Sequence, residues 1–163
     1  MLTIFASELS DRRDRLERVG VQLDGDGVRV VGLADSHHRS PQSQAAIISY
    51  LISKGANPNS PDKSGVAPLH RAVRTRCAAA VHLLLQSGCD PIIKNKPGST
   101  PFHLAVQNTG RGGSGADAAK HAQKQIIAEF LSIGLSPNLK DAKGHSVLDW
   151  AKTEQIRQLL SSR

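Results

Sequence analysis

A segment of eleven residues occurs three times in this chain, and this repetition constrains the fold more than any other feature. The copies begin at Asp62, Asn95 and Asp141, so the first spacing is 33 residues and the second is 46. A second segment, an apolar run followed by Gly and then Pro three residues later, obeys the same two spacings. Two independent landmarks therefore agree on a period of 33 residues and one insertion of 13. This period predicts stacked units, because one unit is too small to bury its own apolar face.

Each unit is predicted to contain two short helices. The first helix begins near Thr100 and Pro101, since a Thr hydroxyl can accept a helix N–H and Pro needs no N–H in the first turn. Its buried residues in the second unit follow the helical spacing i, i+3, i+4: Leu69, Ala72 and Val73. The second helix of each unit is predicted to end at a glycine in left-handed conformation: Gly55, Gly88 and Gly134.

The six residues from Thr100 to Ala105, Thr-Pro-Phe-His-Leu-Ala, closely match the T-P-L-H-x-A signature of ankyrin repeats, and 67–72 match it more loosely. The chain resembles the ankyrin repeat family over about residues 43 to 160. The resemblance implies an all-α repeat fold, an ankyrin solenoid of stacked helix-turn-helix units with connecting β-turns. Its repeats are placed at about 32–61, 62–94, 95–140 with an insertion at 109–121, and 141–163.

Both ends of the repeat array depart from the pattern. In the first repeat, Ser36, Arg39 and Ser40 occupy the buried positions, so we expect no normal first helix there. Ser43 is predicted to cap a helix over about 44–53. Residues 1–31 are predicted to form an N-terminal cap, in which an amphipathic helix precedes a hairpin around Asp24-Gly25-Asp26-Gly27. The apolar positions of that helix are Phe5, Leu9, Leu16 and Val19.

Two further departures occur later in the chain. In the last repeat Asp149 replaces the signature His, and residues 154–160 are predicted to form one short helix. The insertion begins with a glycine-rich stretch, 109–115, which is typical of a flexible loop. Residues 116–121 are predicted to form an N-terminal extension of the following helix.

No pattern in the chain indicates catalysis, a cofactor, a metal ion or a small-molecule substrate. Gly110 to Gly115 match G-x-G-x-x-G, but a predicted helix precedes them where a nucleotide-binding site needs a strand. The seven histidines show no metal-ligand spacing. Cys77 and Cys89 are predicted to be small packed residues. One alternative remains for the insertion, that Arg111 and neighbouring N–H groups hold an anion or a partner.

The net charge is +7, and residues 41–163 carry all of the excess, +8 against −1 for residues 1–40. A basic excess favours an acidic protein surface, nucleic acid or an anionic membrane as partner. No apolar run approaches the roughly 20 residues that a membrane helix needs. The first ten residues lack the pattern of a secretory signal, and two cysteines make no disulfide framework. We therefore expect a cytoplasmic protein.

The resemblance also implies where a partner binds, since ankyrin stacks bind partners on the concave face made by the connecting turns and the exposed side of the first helices. We call this surface the turn face. Its positions in this chain are Lys63, Ser64, Val66, Arg71, Arg74, Thr75, Lys96, Ser99, Gln107, Asn108, Arg111, Lys143 and His145. Six of these thirteen residues are Lys or Arg and none is acidic. Lys54 and Lys152 are predicted to lie off the turn face.

These observations predict a non-catalytic module that binds another protein with an acidic surface through the turn face. One alternative is binding to nucleic acid or anionic lipid. The turns lack the aromatic residues on which single-stranded nucleic acid stacks, which disfavours that alternative. The other alternative is a regulatory or inhibitory subunit of an enzyme.

Overall fold

The computed structural model describes residues 21–24, 27–30, 41–109 and 115–161. Two strands come first, β1 (Val21–Asp24) and β2 (Gly27–Val30). Within 41–109 and 115–161 there are seven helices: α1 (Pro41–Ser53), α2 (Pro68–Arg74), α3 (Ala78–Gln86), α4 (Pro101–Ala105), α5 (Asp117–Ser132), α6 (Val147–Trp150) and α7 (Glu154–Ser161). None of the helices in these ranges has both the length and the apolar character that spanning a membrane requires.

Strands β1 and β2 form an antiparallel hairpin in which Val21 is opposite Val30 and Asp24 is opposite Gly27. Two residues connect the strands, the commonest hairpin connection. The hairpin agrees with the prediction from the sequence. The predicted amphipathic helix with Phe5, Leu9, Leu16 and Val19 lies outside the described residues, and the assignment of residues 1–31 to a cap stays a prediction.

The helices pack in two layers, as the 33-residue period predicts. Helices α2, α4 and α6 are the first helices of successive repeats, and each contacts the next. Helices α1, α3, α5 and α7 are the second helices, and they contact one another in the same order. The all-α repeat fold is thereby confirmed, since each repeat covers the apolar face that its neighbour leaves open.

One aliphatic core runs through the layers, from Ile48 in α1 to Leu160 in α7. The predicted stripe of Leu69, Ala72 and Val73 is confirmed, with at most 1% of each residue exposed. The rings of Phe102 and Phe130 pack against each other in this core, with their centroids 5.2 Å apart. Each large buried side chain contributes about 1.5–3 kcal/mol relative to an exposed one, so this core is a major source of the stability of the fold.

Two helix starts differ from the sequence interpretation. Helix α1 begins at Pro41 rather than near Gln44, so Ser43 lies inside the first turn and is not the cap residue. Pro is favoured at a first helical position because its fixed φ already fits the helix. Thr100 precedes α4 as expected, but its hydroxyl makes no cap bond to a helix N–H. It lies 2.8 Å from Nδ1 of His103 instead.

The later departures follow the prediction more closely. Helix α5 begins at Asp117, so the predicted extension of the second helix is confirmed. Helix α7 forms the single short helix expected in the last repeat. The insertion is closed at its base, where the Gly115 N–H donates to the Thr109 carbonyl at 2.8 Å. Residues 110–114, including Arg111, lie outside the described residues.

Candidate functional site

The signature histidine of one repeat bonds the turn of the next. In His70, Nδ1 accepts from the Ala67 N–H at 3.2 Å, so Nε2 must carry the proton that it donates to the Ser99 carbonyl, at 3.0 Å. In His103, Nε2 donates in the same way to the His145 carbonyl at 3.2 Å. Burial lowers the pKa of both imidazoles and outweighs the opposite effect of these bonds. Both rings are therefore structural groups that fix the turns relative to the helices.

The turn tips of neighbouring repeats are also bonded to one another directly. The Lys96 N–H donates to the Ser64 carbonyl at 3.1 Å, and the Ala142 N–H donates to the Gly98 carbonyl at 3.0 Å. Gly98 has φ +88°, and a Cβ at this position would collide with Ala142. Only glycine fits this close approach. The tips thus stand side by side, each with an exposed lysine: Lys63, Lys96 and Lys143.

Two carboxylates shape these turns, and the sequence-based list of the turn face did not include them. Asp62 Oδ1 accepts from the backbone N–H of Ser64 at 2.7 Å and of Val66 at 3.0 Å. Asp141 Oδ1 accepts in the same way from Lys143 at 2.8 Å and His145 at 2.9 Å. Burial alone would raise the pKa of each carboxyl. The hydrogen bonds lower the pKa by a larger amount, so the net shift is downward. Both turns therefore hold a negative charge. The signal in the sequence was the Asp that opens the first and third copies of the repeated segment.

The described members of the predicted turn face divide into engaged and open side chains. Arg71 is engaged, because its Nη2 lies 2.7 Å from Asp62 Oδ2. Thr75 Oγ1 bonds back to the carbonyls of Arg71 and Ala72. Ser99 is only 4% exposed. The side chains of Val66 and Asn108 are half-buried, and the exposed ones are Lys63, Ser64, Arg74, Lys96, Gln107, Lys143 and His145.

Arg76, which is not among the predicted residues of the turn face, joins two repeats. Its φ of 56° is in the left-handed region that non-glycine residues rarely adopt. Its Nη1 donates to the Ala105 carbonyl at 3.0 Å and its Nη2 to the Gln107 carbonyl at 2.8 Å. Nε2 of Gln123 donates to the same two carbonyls. These contacts satisfy acceptors that the end of the short helix α4 leaves without an intrahelical partner, and burial lowers the pKa of Arg76.

Two clefts open on the turn face. The larger, the tryptophan cleft, has a volume of about 570 Å³ and is lined by Asp141, Lys143, His145, Asp149, Trp150 and Lys152. The smaller, the arginine cleft, has a volume of about 260 Å³ and is lined by Arg74, Arg76, Leu104, Thr109, Gly115 and Ala119. Gln107 and Asn108 line both clefts and form the wall between them. Lys152 therefore lies on the turn face, and its prediction as an off-face residue is wrong.

The buried thiols have packing contacts that suit structural residues. The Cys89 thiol donates to the Pro58 carbonyl at 3.1 Å, and burial, with the nearby Asp90 charge, raises its pKa to about 12. Burial also raises the pKa of Cys77. Such thiols stay protonated at neutral pH and are poor nucleophiles. Within 44–109 and 115–161, no three His, Cys, Asp or Glu side chains come together in a way that could hold a metal ion.

Comparison with known families agrees with the observed architecture. The model of the family described as ankyrin repeats (many copies) matches residues 51–105, from the last turn of α1 to the end of α4. No curated protein matches the chain. Ankyrin repeats are generally protein–protein interaction modules and are typically non-catalytic. The matched residues are similar to ankyrin repeats, and the same pairing of helices continues beyond them through α5, α6 and α7.

Proposed function

We propose that this protein is a non-catalytic module that binds an acidic segment of another protein through the turn face. One observation carries the proposal. Consecutive, hydrogen-bonded turn tips each present an exposed lysine, Lys63, Lys96 and Lys143, and Arg74 lies exposed at the end of α2. Cations held at successive repeats on a rigid frame form a field that steers an acidic partner into one register.

The unpaired cations of this surface outweigh its unpaired acids. Among residues 41–109 and 115–161, no carboxylate lies within ion-pair distance of Lys63, Arg74, Lys96 or Lys143. The carboxylates on the same surface are already engaged: Asp62 with Arg71, Asp141 with its own turn, and Asp149 with the Ser146 N–H and hydroxyl. The surface therefore retains positive charge that a partner's carboxylates can neutralise.

The distribution of charge favours a protein over a nucleic acid as the partner. A phosphodiester chain carries a continuous negative charge, which would have to pass Asp62, Asp141 and Asp149 on the same surface. A protein can place single carboxylates opposite the cations and neutral residues opposite the acids. The described turn face has one aromatic ring suited to base stacking, that of Trp150, and single-stranded nucleic acid binding normally uses several.

The test is charge reversal on a rigid scaffold. The combined variant Lys63→Glu, Arg74→Glu, Lys96→Glu and Lys143→Glu should keep the wild-type unfolding midpoint, since these side chains are exposed. When crosslinked in nuclease-treated cell extract, the wild type should capture its partner proteins. We expect the variant to capture none of them. Purified partners should then bind with a rate constant of association that falls as salt rises.

Lys54→Glu is the matched control, because Lys54 is exposed just after α1 and lines neither cleft. If this single reversal weakens capture as much as the four changes together, bulk charge alone drives binding and the proposal is wrong. Capture that disappears on nuclease treatment, or binding only to vesicles containing phosphatidylserine, would support the nucleic-acid or lipid alternative instead.

A further inference from the structure

The arginine cleft and the tryptophan cleft lie side by side on the turn face. Gln107 and Asn108 line both, so whatever crosses this pair of residues passes directly from one cleft to the other. Gln107 is exposed and Asn108 is half-buried. Their side-chain amides offer both donors and acceptors, which suit the backbone of an extended peptide. The two clefts thus adjoin at Gln107 and Asn108.

The chemistry of the arginine cleft selects a negative group. Among the described residues that line it, the charged ones are Arg74 and Arg76, and none is a carboxylate. Arg76 is held in place by the carbonyls of Ala105 and Gln107, so it contributes a fixed positive charge. Arg74 is exposed and has donors with which to bond a ligand. A guanidinium binds a carboxylate through two parallel hydrogen bonds.

The chemistry of the tryptophan cleft selects an apolar group. Its lining carries two positive side chains, Lys143 and Lys152, and two negative ones, Asp141 and Asp149, so their formal charges sum to zero. The half-buried Trp150 donates its Nε1–H to Asp141 Oδ2 at 3.2 Å and meets the His103 ring edge-on, with centroids 5.6 Å apart. The indole is therefore fixed and its polar atom is used, and the ring surface that remains in the cleft is apolar. Large rigid aromatic groups of this kind anchor protein interfaces.

We propose that one extended segment of the partner occupies both clefts, with an acidic side chain at Arg74 and an apolar side chain against Trp150. The segment crosses Gln107 and Asn108 and bonds its backbone to their amides. Extended chain advances about 3.3 Å per residue, so two anchors in clefts at fixed positions require a fixed spacing along the segment. This inference rests on the proposed function and adds to it the composition of the recognised segment.

The experiment is selection of random twelve-residue peptides displayed on phage against the full chain. We expect enrichment of peptides in which Asp or Glu lies at a constant distance from Leu, Ile, Phe or another large apolar residue. Binding of a selected peptide should change the emission of Trp150, the only tryptophan of the chain. Replacing the apolar residue of that peptide with Ser should abolish the change in emission.

Variants of the protein then assign each anchor to its cleft. Arg74→Gln should reduce the affinity for the selected peptide roughly tenfold, the usual loss for a charge-assisted hydrogen bond. A peptide whose acidic residue has been replaced with Gln should bind the Arg74→Gln variant and the wild type with the same affinity. Lys54→Gln, the matched control, should bind like the wild type. Trp150→Phe should retain binding but remove the fluorescence signal, with its unfolding midpoint reported alongside.

Each outcome separates this inference from the proposed function. Peptides enriched in acidic residues without a spaced apolar residue would overturn the inference and leave the proposed function standing. Enriched peptides that bind the Arg74→Gln variant as well as the wild type would overturn the assignment to the arginine cleft. Enrichment with no acidic preference would overturn both, and a failure to enrich any peptide would overturn the recognition of a linear segment.

Discussion

Nε2 of His70 donates to the carbonyl of Ser99, so a buried ring in the second repeat is bonded to the turn that opens the third. The two bonds of this ring together require one neutral tautomer, because Nδ1 must accept from the Ala67 N–H while Nε2 donates. A second proton on the ring would turn Nδ1 into a donor facing another donor. Protonation therefore breaks the bond to the Ala67 N–H within the second repeat, whereas Nε2 can still donate to the Ser99 carbonyl.

Stability should fall as the pH decreases below the ordinary histidine value of 6.5. Burial lowers the folded-state pKa of His70 and His103, so the unfolded chain binds more protons below 6.5 and is favoured there. The stabilisation is complete above 6.5 and is lost as the pH falls towards the folded-state values. Urea unfolding between pH 8 and pH 5 measures the slope.

A matched pair of variants identifies the groups responsible for this slope. His70→Gln should reduce it, and His121→Gln, at an exposed position, should leave it unchanged. A free energy of unfolding that is constant or rises as the pH falls from 6.5 to 5 would contradict the assignment.

A second decline in the free energy of unfolding should begin below pH 3.8, because hydrogen bonds hold the pKa of Asp62 below that ordinary value against the opposing effect of burial.

Ala67→Thr should stabilise the protein by at most about 1 kcal/mol, the typical net value of one internal hydrogen bond, because Nδ1 of His70 already accepts from the residue 67 N–H. In the next repeat the hydroxyl of Thr100 bonds Nδ1 of His103 at 2.8 Å, and Ala67 has the same extended backbone as Thr100. Ala67→Val is the control, since it adds similar volume without the hydroxyl. Equal denaturation midpoints for the Thr and Val variants would exclude a new bond to His70.

Arg76→Gly should destabilise the protein by about 1–2 kcal/mol. The variant loses two hydrogen bonds from a charged donor, each worth about 1.5–3 kcal/mol, while glycine relieves about 1 kcal/mol of left-handed strain at φ 56°. Gln123 still donates to both carbonyls, which limits the loss. The neighbouring Arg74→Ala should change the unfolding free energy by less than about 0.5 kcal/mol. A neutral or stabilising effect of Arg76→Gly would show that the bonds to α4 contribute nothing.

The base of the insertion should tolerate change less than the residues between its ends. Gly115→Ala should cost about 1–3 kcal/mol, because the new Cβ would lie 2.7 Å from Thr109 Cβ and 2.8 Å from its carbonyl carbon and oxygen. Deletion of 111–114, which keeps Gly115, should preserve cooperative unfolding, since the entropy of loop closure changes slowly with length. Thermal unfolding of both variants tests the contrast, and a deletion that abolishes the cooperative transition would refute it.

The period of the sequence predicts the helices well because each one must bury the same few positions. Leu69, Ala72 and Val73 could be identified as core residues from spacing alone. Local side-chain bonding is less predictable, and Thr100 shows why. A Thr before a helix has two good partners, a backbone N–H and the histidine three residues later, and only the folded turn decides between them.

The candidate site could be predicted only in part. Lys63, Lys96 and Lys143 follow from their places in the repeat, and so do their exposed side chains. The bonds from Arg76 to residues 29 and 31 positions later have no periodic signal, since the matching positions in the other repeats carry different side chains. The clefts arise where side chains from separate repeats meet, which is also why Lys152 was assigned to the wrong surface.

Hydrogen bonds cross the junctions of this stack in both directions. His70 and His103 donate forward to the following turn, whereas the N–H groups of Lys96 and Ala142 donate backward to the preceding one. If one repeat unravelled, its neighbour on either side would retain a polar group without a partner and an uncovered apolar face. A boundary between ordered and unravelled chain is therefore costly wherever it falls, which favours all-or-none melting over stepwise loss from the ends.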